Sequence, residues 1–78
     1  MQVNQQVSGM YLGEIPFTGT IVESRALTVR TDGCMEFTVR LDKPVTAYGL
    51  QRDVILMNTK FDGSPSSYTR HTCHMQAA

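Results

Sequence analysis

Apolar residues recur along this chain with a period of two. In the run CMEFTVRLD, Met35, Phe37, Val39 and Leu41 fall on one side of an extended backbone, while Glu36, Thr38, Arg40 and Asp42 fall on the other. That pattern predicts a strand with one face in the core and one in water. Apolar spacings of three and four, which would mark a helix, do not recur, so the predicted class is all-β.

Upstream, PFTGTIV puts Phe17, Gly19 and Ile21 in one phase, and ESRALTVR is a second β-rich run leading into the turn signal TDG. A two-residue Asp-Gly turn would set Val29 against Glu36 and mix the faces. A loop of Thr31, Asp32 and Gly33 sets Val29 against Met35 and Leu27 against Phe37, which keeps apolar residues together. Because a one-residue slip inverts every side chain, the second register is predicted. Continued upstream, it would turn Arg25 inward beside Val39 and Glu23 inward beside Leu41. A bulge near Ser24 to Ala26 is therefore expected to re-aim the strand.

Downstream, DKP ends the strong strand and VTAYG reads as a short third strand, with LQR as a turn. DVILM is a fourth strand, apolar at four consecutive positions from Val54 to Met57. NTKFDGSPSS is a loop by its Gly and Pro content, and YTRHTCHM alternates weakly as a fifth strand. Residues 1–9, polar and Gln/Asn-rich, read as a flexible N-terminal arm; residues 10–78 read as a single domain, with a short strand beginning at Met10 to Leu12.

The succession GTIVES, EFTVRLDKPV and RDVILM, over about residues 16 to 61, resembles the SH3-like small β-barrel superfamily. A Gly-containing first strand, a hairpin ending in a V-x-L-D-x-P corner and a short apolar closing strand carry the resemblance. It implies a small SH3-like barrel of about five antiparallel strands. The plasmid-encoded type II dihydrofolate reductases are similar short chains, with a Val-Gln-Ile-Tyr run on a late strand. Val54, Ile55, Leu56 and Met57 stand here instead. The resemblance therefore implies architecture without that activity.

Seventy-eight residues make one domain whose core is marginal, since a chain this short buries only roughly 60 % of its unfolded surface. Seven basic residues balance seven acidic ones. Arg25, Arg30, Arg40, Lys43, Arg52, Lys60 and Arg70 are spread among acids, so no cationic footprint for a nucleic-acid backbone stands out. Net charge near zero favours self-association. No stretch approaches the ~20 apolar residues of a membrane-spanning helix. Two cysteines without a secretory leader suggest free thiols in a reducing, cytoplasmic setting.

RHTCHM concentrates His71, Cys73 and His74 near the end of the chain, and Cys34 could be a fourth ligand. Zinc pairs usually leave two or more residues between ligands. On a strand His71 and Cys73 share a face while His74 points away, so no metal site and no cofactor are expected. Nor does the chain carry a phosphate loop, a dinucleotide fingerprint or paired carboxylates, and no enzyme activity is expected. Tyr48, with Arg52 and Arg40, is the candidate set for a single-stranded nucleic acid. DVILM carries the other candidate surface. A strand apolar on both faces needs cover on both, and one small chain supplies one layer. Ile55 and Met57, opposite Val54 and Leu56, are therefore expected to meet a protein partner, a second copy by default. The expected function is a non-catalytic binding or adaptor module, of a style compatible with accessory products of mobile or phage-like elements; the alternatives are a single-stranded nucleic-acid-binding accessory protein and a metal-binding module using Cys34, His71, Cys73 and His74.

Overall fold

The computed structural model describes residues 1–28, 33–67 and 72–78. Five antiparallel strands form one sheet: β1 (Gln6–Tyr11), β2 (Ile15–Ala26), β3 (Cys34–Ala47), β4 (Leu50–Lys60) and β5 (His74–Ala77), in the spatial order β4-β3-β2-β1-β5. Successive strands are hairpin neighbours from β1 to β4, and β5 returns to pair with β1, from Val7 opposite Ala77 to Met10 opposite His74. The all-β class read from the alternation is the class observed. No helix among the described residues is long and apolar enough to cross a membrane.

The inward residues of all five strands meet in one core. Phe37, Val39, Ile21, Val7 and Met57 are wholly buried, with Phe17, Leu41, Ile55, Cys73 and Met75 beside them. As the alternation predicts, Phe37, Val39 and Leu41 point in, Met35 packs against the core, and Arg40 and Asp42 point out.

The β2–β3 register differs from the predicted one. Ser24, not Leu27, faces Phe37, and Ala26 faces Met35, while Ile21 faces Val39. The ladder shifts at Val22, so the bulge lies two residues earlier than expected. This placement keeps Ile21, Gly19 and Phe17 in phase with the core and leaves Glu23 and Arg25 outside, which removes the conflict that called for a bulge. β2 stops at Ala26, and β3 begins at Cys34. The predicted Val29–Met35 pairing and the Thr31–Asp32 turn lie outside the described residues.

The expected third strand and the LQR turn are also revised. Val45 to Ala47 continue β3, and Leu50 to Arg52 belong to β4. The turn is Tyr48-Gly49, between the paired residues Ala47 and Leu50, with φ of 52° and 74°. Two successive positive φ values match the twist of a two-residue hairpin. The V-x-L-D-x-P corner is an irregularity inside β3: Leu41 to Pro44 face only Asp53 between the pairs Arg40–Val54 and Val45–Arg52.

The N-terminal segment is integrated rather than a free arm. Residues 6–9 lie in β1, and Asn4 N–H donates to the Ile21 carbonyl at 2.7 Å. Met1 packs against the core and its amino group donates to the Phe61 carbonyl at 3.1 Å. Polar composition hid this, because strand residues 6 and 8 can be polar while Val7 alone fills the core.

The sheet curls so that its last strand meets the end of β4. Met75 N–H donates to the Gly63 carbonyl at 2.9 Å, and Thr59 bridges Pro65. Gly63 has φ 86°, and a Cβ there would collide with the Met75 carbonyl oxygen. A Cβ at Gly9 would collide with the His74 carbonyl oxygen and lie 2.7 Å from Met75 Cα. Backbone therefore approaches Met75 from both sides where no side chain fits. Beside it, Asp62 accepts from Ser64 Oγ at 2.6 Å and Ser64 N–H at 2.9 Å. Those bonds, the hydroxyl's foremost, hold its carboxyl below the ordinary 3.8.

Gly63→Ala is expected to destabilise the fold by about 3 kcal/mol, from left-handed strain plus overpacking, read by urea unfolding. A depressed carboxyl stabilises the folded state above its unfolded pKa and loses that contribution as pH falls through the folded one. In a carboxyl NMR titration Asp62 should therefore have its midpoint below 3.8, and Ser64→Ala should raise it.

Candidate protein-binding surface

β4 supplies the side chains expected to meet a partner, but with its faces exchanged. In an antiparallel ladder, residues directly opposite share a face. Val39 opposes Ile55 and Phe37 opposes Met57, so the core residues of β3 draw both into the interior. Ile55 is 2 % exposed and Met57 0 %, while Val54 is 46 % and Leu56 51 % exposed. The predicted interface residues are thus core residues, and the apolar row facing water is Val54 and Leu56. An apolar run of four offers no polar residue to mark its outer phase. Only the register with β3 does.

The surroundings of this row are polar and of mixed sign. Val54 lies opposite Arg40, which lies opposite Thr20 and then Gln6. Leu56 lies opposite Thr38, and Thr38 opposite Glu23. Thr20 Oγ1 donates to Gln6 Oε1 at 3.0 Å, and Gln6 Nε2 donates to Asp42 Oδ2 at 2.7 Å. Arg25 and Glu36 form an ion pair at 2.8 Å. Its exposure limits it to ~0.2–1 kcal/mol. Val22, the bulge residue of β2, adds a further exposed apolar group on the same sheet.

β4 is also an edge. Among the described residues, Leu50 to Met57 have β3 on one side and no strand on the other, whereas Thr59 and Lys60 are covered by the segment at residues 64–65. Apart from Arg52 and Asp53 the stretch from Leu50 to Met57 lacks the charges and prolines that usually blunt an edge.

Tyr48, Arg52 and Arg40 are strung along the β3–β4 ribbon. Tyr48 is at the tip and 82 % exposed, with Leu50 60 % exposed behind it. Arg52 lies opposite Val45, and its Nε is buried with no hydrogen-bond partner among the described residues. Arg40 lies beyond the irregularity, opposite Val54. Near the root of the ribbon is a groove of about 280 Å³ lined by Pro16, Phe17, Thr18, Lys43, Pro44 and Val45. None of the three candidate residues lines it. The sequence reading missed this groove. Its signal is a pair of prolines, Pro16 and Pro44, that becomes local only after β2 and β3 pair.

Cys34 opens β3 opposite Lys60, and Cys73 sits in the core just before His74 opens β5. Both cysteines are buried free thiols. His71 lies outside the described residues. Among the described residues no three His, Cys, Asp or Glu side chains are grouped as metal ligands.

The fold defines a small all-β domain of one five-stranded antiparallel sheet. No family model, no curated protein and no solved structure matches the chain.

The exchanged faces give different expected stabilities. Ile55→Ala should cost about 3 kcal/mol through a core cavity. Leu56→Ala should change monomer stability by less than about 0.5 kcal/mol. Urea unfolding at low protein concentration reads both; equal costs would contradict the register.

Proposed function

We propose that this chain is a non-catalytic binding module of SH3-like architecture, working in the cytoplasm, whose partner is a second copy of itself seated on the Val54–Leu56 face of β4. The observation that carries the reading is that row: two large aliphatic side chains, 46 % and 51 % exposed, on an open edge strand. Contiguous apolar groups in water, rimmed by polar residues, mark interaction sites. A small core also gains most from a partner.

A second copy fits this surface better than a strongly charged partner does. The formal net charge is zero, so copies meet without long-range repulsion. The flanks carry both signs, Arg40 opposite Val54 and Glu23 in the row of Leu56. A two-fold axis through such a surface can place each sign against its opposite. The SH3-like reading is supported by the return of β5 to β1 and by the V-x-L-D-x-P corner at the irregularity of β3. The non-catalytic reading is supported by the groove, whose one ionisable side chain among the described residues is Lys43. A lone ammonium there has neither a nucleophile–base pair nor an orienting acid.

In sedimentation velocity over a wide concentration range the chain should self-associate. Leu56→Asp should shift it to smaller species with association weakened by about thirtyfold or more, the scale of a central interface residue. A parent chain that stays monomeric throughout, or a Leu56→Asp variant that associates like the parent, would refute the reading.

A further inference from the structure

Two features of the molecule are not used by the β4 face. The first is Tyr48. It adopts φ 52° at the hairpin tip, a conformation that favours Gly, Asn or Asp. It is also 82 % exposed, so its ring gains nothing from burial within its own chain. An aromatic side chain here is unfavourable locally and uncompensated in the isolated domain.

The second feature is the groove at the ribbon's root. At about 280 Å³ it falls below the ~300–1,000 Å³ of pockets that enclose a drug-sized ligand. It has room for one large side chain. Pro16, Phe17, Pro44 and Val45 give it apolar walls, and Lys43 places a cation on its lining, where an aromatic face is favoured.

We propose that Tyr48 of one copy occupies the Pro16–Phe17–Pro44–Val45 groove of a second copy, and that the exchange is reciprocal. The reach suits a two-fold contact. Tyr48 is three residues beyond Val45, about 10 Å of extended chain. Two ribbons overlapping antiparallel by that length bring each tip to the other's root. The contact rests on the reading that the chain self-associates, but it is a second self-complementary surface, separate from Val54 and Leu56. Two different two-fold contacts in one chain produce even-numbered assemblies.

The test combines a strain-relieving variant with a crosslink. Tyr48→Asn suits the positive φ, so it should raise the melting temperature of the dilute monomer while weakening this contact by about thirtyfold or more. Tyr48→Phe keeps the ring that fills the groove, and should retain the contact. A photoreactive phenylalanine analogue at position 48, in a mixture of isotopically light and heavy chains, should crosslink between chains to residues 16–18 or 43–45. Leu56→Asp should leave these crosslinks in place, whereas Tyr48→Asn should leave an assembly held by β4. Unchanged association in Tyr48→Asn, or crosslinks only within a chain or onto the β4 face, would overturn the exchange and leave the β4 reading standing. Crosslinks at the groove together with full association of Leu56→Asp would do the reverse. A chain that stays monomeric at every concentration would overturn both.

Discussion

The close approach of backbone at Met75 governs the rest of the structure. A single sheet of five strands has two edges and one face to hide, and a flat version of this chain could not bury Phe37, Val39 and Met57 completely. The sheet succeeds by curling until β5 reaches the segment after β4. There Met75 N–H bonds to Gly63, with Gly9 on the other side. Side chains at either glycine would hold the strands apart. Met75 itself enters the core, so the backbone contact and the last piece of hydrophobic packing form together.

Closure at one end leaves the other end open. The β3–β4 ribbon runs past the core to Tyr48 and Gly49, and along it the core residues give way to exposed Leu50 and half-buried Arg52. The irregularity from Leu41 to Pro44 separates the two regimes. On the core side, each residue of β4 takes its face from its partner on β3. Beyond it Val45 and Ala47 still turn inward, but Tyr48 and Leu50 lie in water. The Val54–Leu56 row and the Tyr48 tip belong to a strand and turn that, from Tyr48 to Met57, have no further strand beyond them among the described residues.

The neutral charge balance matters at this level and not at the level of the fold. On the outer face Arg25 pairs with Glu36, and Asp42 is linked through the Gln6 amide to Thr20. These contacts are exposed and individually weak. Their consequence is a polar frame without a dominant sign, which leaves the apolar row as the feature distinguishing β4 from the rest of the face.

The sequence by itself determined the β class, the inward phase of Phe37, Val39 and Leu41, and the alignment of Phe17, Gly19 and Ile21 with them. A period of two with polar partners leaves no freedom there, because the opposite phase would bury Glu36 and Arg40. It also showed that DVILM is apolar on both faces and calls for cover on both. Tertiary structure alone decided which face turns inward, since an apolar run is symmetric until Val39 and Phe37 meet Ile55 and Met57. The same holds for the bulge at Val22, the integration of the first residues through Val7, and the groove between Pro16 and Pro44. Each depends on a register between segments distant in the chain, which local pattern cannot encode.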